Sequence, residues 1–193
     1  MNKLGNRSLI DIYKMASSTE PTPGGGGVTN LCGALGIGLI LKALRISSKS
    51  SPTTAYTAED GELDSLADRL IEFADIDEKS FRAYIDALQL PRSNDAEKEL
   101  RSSAIERAAI AASEAALEAF EVCCEAISIA DRIRAVIKKN IEADILAGVG
   151  LLEAAAATAA ENVRANMPSI RNEEFRIKVE ERLRRRAYGE GRV

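Results

Sequence analysis

Histidine and tryptophan are absent from this 193-residue sequence, which has only 4 Phe, 4 Tyr and 3 Cys. The absence of histidine excludes Ser-His and Cys-His nucleophile pairs and the common zinc sites. Enzymatic proton transfer would therefore need carboxylates, thiols, lysines, tyrosines or water. There is also no P-loop, dinucleotide fingerprint or metal-ligand spacing, so we predict neither a metal nor a bound cofactor. Few aromatics in a chain that is 46% hydrophobic favour closely packed, alanine-rich helices over a sheet sandwich.

Cysteine use and charge limit the expected compartment and partners. Two of the three cysteines, Cys123 and Cys124, are adjacent, which is typical of a reduced, cytoplasmic protein and not of a disulfide framework. The formal net charge of −4 argues against nucleic acid as the main partner. The N-terminal residues lack the apolar core of a signal peptide, and the apolar run from Leu31 to Leu41 is shorter than the ~20 residues of a membrane span. We therefore expect no membrane partner.

The hydrophobic pattern predicts one all-α domain over residues 1–193. Apolar residues recur at alternating spacings of three and four, and no segment alternates convincingly with period two. The predicted helices run from Ser8 to Ala16, Val28 to about Ser47, about Glu59 to Leu90, about Asp95 to Ile137 with a possible break near Ser128, Asp144 to Pro168, and about Asn172 to Tyr188. Helices of this length should form an antiparallel bundle.

A Pro-Thr-Pro arm, Pro21 to Pro23, meets four glycines, Gly24 to Gly27, immediately before the second helix. Proline fixes φ, and a glycine turn lets another molecule approach the backbone. Backbone N–H groups of Gly24, Gly25 and Gly26 next to a helix N-terminus would favour an anionic or electron-rich ligand. A loop that only lets two helices cross closely explains the same residues equally well.

Two acidic residues stand out. Asp77 occupies an apolar position of a regular helical stripe, where an ionised carboxylate is costly unless it is paired, hydrogen-bonded or exposed to a cleft. It is either a functional acid or a structural one paired with a lysine or arginine across the bundle. Asp144 stands where an apolar, alanine-rich helix begins, so an ordinary N-cap is the competing interpretation.

Two amides follow near the far end of the helix that Asp144 opens. Asn162 and Asn166 lie one turn apart on an alanine-rich surface. They could bind a flat heterocycle, or they could cap a neighbouring element.

Three motifs occur in order and cover nearly the whole chain. They are the arm from Ser18 to Val28 followed by Gly33-Ala34-Leu35-Gly36; Asp75, Asp77 and Phe81 before Leu90-Pro91; and Asn140 and Asp144 followed by Asn162, Val163 and Asn166. In this order and spacing the chain resembles the cyclodeaminase/cyclohydrolase family of folate one-carbon enzymes. Gly27 and Ala143 stand where that family often has serine, and Ala116 stands where it typically has proline.

The resemblance implies an all-α homodimer that acts on a folate without a further cofactor. It implies that Asp144 is the general acid/base and that Asp77 holds the pterin or its cation. It places Pro23, Gly24, Gly25, Gly26, Asn140, Asn162 and Asn166 at the substrate.

Three functions remain open under this resemblance. We favour hydrolysis of 5,10-methenyltetrahydrofolate to 10-formyltetrahydrofolate, because no transferase domain that would supply a formimino substrate accompanies these residues. The alternatives are a formiminotetrahydrofolate cyclodeaminase that releases ammonia, and a non-catalytic folate-binding helical dimer.

Overall fold

The computed structural model describes residues 3–49 and 56–187, and these contain helices and turns but no strand. Short 3₁₀ turns lie at Leu4–Asn6, Arg134–Val136, Lys139–Ile141 and Met167–Ser169. The α-helices are α1 Leu9–Ala16, α2 Gly25–Ser48, α3 Tyr56–Leu88, α4 Asp95–Ile133, α5 Glu142–Asn166 and α6 Glu173–Ala187. The all-α prediction is confirmed.

The four long helices form an up-and-down bundle. α2 and α4 each pack against both α3 and α5, which leaves α2 and α4 on a diagonal. Antiparallel order is visible in the ion pairs at the end of α2, where Arg45 meets Asp60 at the start of α3 and Lys42 meets Asp144 at the start of α5. The core consists mainly of fully buried aliphatic side chains, among them Ile37, Ile40, Leu44, Leu63, Leu70, Leu117, Ile129, Ile145 and Leu152.

Local sequence explains several helix starts. Ser8 caps α1 by accepting the N–H of Asp11. Asn94 caps α4 by accepting the N–H of Glu97 at 2.9 Å, and the Glu97 carboxylate accepts the N–H of Ser93 at 2.7 Å. The bond to Asn94 satisfies a donor that the first helical turn leaves without a partner, and the bond from Ser93 fixes the residue before the cap.

Several predicted boundaries are wrong, and one is the end of α4, which lies at Ile133 and not at Ile137. α2 begins at Gly25 and not at Val28, since Gly24 is the N-cap and the next three glycines form the first turn. α4 continues through Ser128, where Ile129 is fully buried and keeps the helix in the core.

α5 begins before Asp144. Ile141 is the N-cap, so Asp144 lies inside the first turn and the N-cap interpretation of this residue is wrong. The predicted end of the last helix at Tyr188 lies outside the described residues.

Glycines allow α2 and α5 to pack with their backbones in contact. A Cβ atom at Gly36 would lie 2.6 Å from the carbonyl oxygen of Gly148, and a Cβ at Gly148 would lie 2.5 Å from the carbonyl oxygen of Gly36. Any side chain at either position would force the helices apart. This crossing explains part of the small-residue content of both helices.

Some apolar surface stays exposed. On α1, Leu9 and Tyr13 are largely exposed, and Leu35 on α2 and Leu146 on α5 are more than half exposed.

By length and composition alone, Gly25–Ser48 and Lys139–Ser169 are apolar enough to cross a membrane. This is weak evidence, because core helices pass the same test and more than half of the window in α2 is buried inside the bundle.

Candidate active site

A pocket of about 320 Å³ lies where α2 begins, between the middle of α3, the alanines of α4 and the last turns of α5. Its volume falls within the range usual for small-molecule sites. α4 contributes alanine side chains, which leave room for a flat ligand. The lining consists of Pro21, Thr22, Gly24, Gly25, Gly26, Asn30, Phe73, Asp77, Ser80, Phe81, Tyr84, Ala112, Ala115, Ala116, Ala119, Ala159, Asn162, Ala165 and Asn166.

Asp77 is the charged side chain in this lining. Its Oδ2 accepts the N–H of Gly27 at 2.9 Å, so the carboxylate caps the first turn of α2 from a neighbouring helix. In the part of the chain that the structure describes, no lysine or arginine pairs with Asp77. The predicted pairing with a lysine or arginine across the bundle is therefore not found, and the structural contact that Asp77 makes is the cap on α2.

The environment of Asp77 makes protonation easier. Burial raises the pKa of its carboxyl above the usual 3.8, the Gly27 N–H partly opposes the rise, and the nearby Glu78 carboxylate adds to it. A raised pKa makes the carboxylate a stronger base, which suits a group that accepts a proton from water.

Gly26 lets an acid and an amide converge at the pocket floor. A Cβ atom at this position would collide with Oδ1 of Asp77 and lie 2.6 Å from Nδ2 of Asn162. The absence of a side chain at Gly26 therefore brings α2 against Asp77 of α3 and Asn162 of α5. Asn166 lines the same wall one turn later.

Sequence reasoning missed four polar residues of the pocket, Thr22, Asn30, Ser80 and Tyr84. Asn30 is buried in α2, where a polar residue in an otherwise apolar helix was a usable signal. The Tyr84 hydroxyl lies 3.0 Å from Oγ of Ser169 and ties α3 to the turn after α5. No local signal revealed that contact, because the two residues are 85 positions apart.

Asp144 and Asn140 lie elsewhere in the chain's own fold. Asp144 and Asn162 are eighteen positions apart on α5, about 27 Å at 1.5 Å per residue. Oδ2 of Asp144 is 2.8 Å from Nζ of Lys42. Within one chain, the two predicted catalytic carboxylates therefore do not share a site.

The remaining predicted residues have other surroundings. Pro23 is buried between two lining residues and does not itself line the pocket. Asp75 accepts the N–H of Leu4 at 2.6 Å and holds the N-terminal turn against α3. The thiol of Cys123 is buried in the core, which raises its pKa to about 12 and makes it a poor nucleophile. Among the described residues, no group of three or more acidic or cysteine side chains could hold a metal ion.

The fold and the pocket define a class of protein: an up-and-down helical bundle with a carboxyl–amide site at a glycine-rich helix start. The sequence pattern of the formiminotransferase-cyclodeaminase family matches residues 8–185. The chain belongs to that family.

Two known proteins are similar to this chain. A methenyltetrahydrofolate cyclohydrolase of Methylorubrum extorquens (strain AM1) is 29% identical over 186 residues, which cover 93% of this chain and 87% of the relative. The crystal structure of formiminotetrahydrofolate cyclodeaminase from Thermotoga maritima superposes with a TM-score of 0.84 at 21% identity, covering 95% of this chain and 89% of that one. The latter likeness concerns the fold.

Proposed function

We propose that this protein is a folate one-carbon enzyme that hydrolyses 5,10-methenyltetrahydrofolate to 10-formyltetrahydrofolate. The observation that carries the proposal is Asp77, a carboxyl without a basic partner in a pocket whose other described lining residues are uncharged. The 29% identity to a methenyltetrahydrofolate cyclohydrolase supports the choice of substrate.

The pocket suits the chemistry of this substrate. Methenyltetrahydrofolate carries a delocalised N–CH–N cation on a flat, mostly apolar ring system, and a carboxylate beside that carbon stabilises the positive charge. Alanines of α4 and the rings of Phe81 and Tyr84 offer apolar surface, while the amides of Asn162 and Asn166 can bond polar ring atoms.

We assign the acid/base role to Asp77. The carboxylate takes one proton from water as the water oxygen attacks the methenyl carbon, and the resulting carboxylic acid gives that proton to the leaving ring nitrogen as the C–N bond breaks. The hydroxyl of the tetrahedral intermediate releases its remaining proton to solvent and becomes the formyl oxygen. The assignment of the acid/base role to Asp144 stays a prediction. Asp144 lies at the other end of α5, away from the pocket, and this favours Asp77 for the role.

The two assignments differ in the outcome of one experiment. Loss of methenyltetrahydrofolate absorbance is followed with wild type, Asp77→Asn and Asp144→Asn against the buffer-catalysed rate. We expect Asp77→Asn to lower turnover by about 10²- to 10⁴-fold and Asp144→Asn to retain most of it. A larger loss in Asp144→Asn would return the acid/base role to that residue, and no wild-type acceleration would contradict the hydrolase proposal.

Cyclodeamination is the second candidate function. The fold matches a formiminotetrahydrofolate cyclodeaminase, and burial, which raises the pKa of Asp77, favours the acid form that would supply the proton departing ammonia needs. Ammonia release from formiminotetrahydrofolate measures it directly. Folate binding without either turnover would support the non-catalytic alternative.

The proposal includes a homodimer. Leu35 on α2 and Leu146 on α5 are exposed, and Cβ atoms at Gly38 and Gly150 would meet no atom within 4 Å. Two neighbouring helices therefore present exposed leucines beside glycines, a surface that a second copy could cover. We define these four residues as the outer α2/α5 face.

The proposed location is the cytoplasm. Cys32, Cys123 and Cys124 form no disulfide, as expected in a reducing compartment.

A further inference from the structure

Glu78 is a buried carboxylate that the mechanism above does not use. The side chain of Glu78 is only 8% exposed. The residue follows Asp77 directly on α3. Nη2 of Arg82, one turn later, donates to Oε1 of Glu78 at 2.8 Å. Removing a carboxylate from water is costly, so a buried one that is kept needs partners, and Arg82 supplies the compensating charge from the surface side.

The second partner of Glu78 belongs to the arm. Thr22 is buried and lines the pocket, and its hydroxyl donates to the same Oε1 over 3.5 Å. Five residues later the N–H of Gly27 donates to Asp77. Two consecutive residues of α3 thus hold both ends of the segment that carries the glycines of the pocket.

We propose that Glu78 is a positioning residue for the reaction in this pocket, where it anchors Thr22 so that the arm closes the wall beside Asp77 and the bound folate. The inference rests on the proposed function and deepens it. A loosened arm would weaken substrate binding before it affected the chemical step, because the arm lines the pocket and carries no acid/base group.

Glu78 also acts on Asp77 through charge. Its carboxylate adds to the rise in the pKa of Asp77 that burial causes. The other described groups that line the pocket are neutral: Asn30 from α2, Tyr84 from α3, alanines from α4, and Asn162 and Asn166 from α5. Neutralising Glu78 should therefore move the acid limb of the pH profile to lower pH.

Three variants separate these effects. Thr22→Val removes the hydroxyl and keeps the shape, Glu78→Gln removes the charge and keeps an acceptor, and Glu72→Gln neutralises an exposed carboxylate of α3 as the matched control. We expect Thr22→Val to raise KM about two- to threefold with little change in kcat and an unchanged pH profile, as loss of one long hydrogen bond predicts. Glu78→Gln should shift the profile to lower pH, and Glu72→Gln should match wild type.

Hydrogen exchange tests the same inference without turnover. Amides from Gly25 to Gly27 should exchange faster in Thr22→Val and Glu78→Gln than in wild type and Glu72→Gln, because their anchor is loosened. Wild-type exchange and wild-type KM in both variants, with only a lower melting temperature, would overturn the inference. An inactive wild type whose arm still loosens in the variants would contradict the proposed function and leave the anchor supported.

Discussion

The carboxyl group of Asp77 is ionised at a cost, because burial removes water and the Gly27 N–H replaces it only in part. The folded state therefore binds a proton that the unfolded state releases near pH 3.8. As pH rises from 3.8 through the raised pKa of Asp77 in the folded protein, the contribution of this group to the free energy of unfolding falls. Above that pKa, the full cost of burying the charged carboxylate is present.

Asp77→Asn should remove this pH-dependent cost while an amide oxygen keeps the bond to Gly27. We expect the variant to gain stability relative to wild type as pH rises from about 4 toward neutrality, measured by urea unfolding at several pH values. Asp68→Asn, which neutralises an exposed carboxylate on the same helix, is the control. Parallel pH curves for wild type and Asp77→Asn would show that burial does not disfavour the charged form.

At the scale of the helix, the contact between α2 and α5 depends on Gly36 and Gly148. A Cβ atom added at either glycine would lie within 2.6 Å of the other glycine's carbonyl oxygen. The backbone cannot move aside as a flexible side chain can. This crossing also positions the start of α2, where Gly25 and Gly26 meet the pocket, relative to Asn162 on α5.

Replacement of either glycine should therefore destabilise the bundle. Gly36→Ala or Gly148→Ala is expected to cost about 1–3 kcal/mol through overpacking. Gly61→Ala on α3, where an added Cβ meets nothing within 4 Å, should instead stabilise by up to about 1 kcal/mol, since alanine is the better helix former. Denaturant unfolding measures all three, and equal effects at Gly36 and Gly61 would contradict the packing argument.

For the whole molecule, the proposed homodimer has its interface on the outer α2/α5 face. Exposed leucines beside glycines on two adjacent helices form a surface that can pack closely against an identical one. A twofold arrangement would place the same residues on both sides of the interface.

We expect sedimentation to give about twice the 20.8 kDa of one chain. Leu146→Glu should shift the protein toward a monomer, because it places a charge in the apolar contact. Ile177→Glu, a substitution at an equally exposed hydrophobic residue of α6, should leave the mass unchanged. A monomeric wild type, or dissociation by both variants alike, would contradict an interface on the outer α2/α5 face.

The spacing of apolar residues determined the helices and the antiparallel bundle, because helical periodicity and short connections are local properties. The same local reasoning identified Asp77 as an acid out of place in an apolar stripe, and it marked the glycine arm and the amides of α5. These features need no knowledge of neighbours, since each departs from the pattern of its own segment.

Only the tertiary structure decided which of these residues meet. In the first turn of α2 the N–H of Gly27 donates to a carboxylate fifty residues away, and no local rule gives that partner. Asp144 shares a helix with Asn162 yet lies at the opposite end of it, so closeness of motifs along the sequence did not mean closeness in space. The partners of Glu78 and the crossing at Gly36 likewise arise from contacts between separate segments, which depend on how the bundle closes.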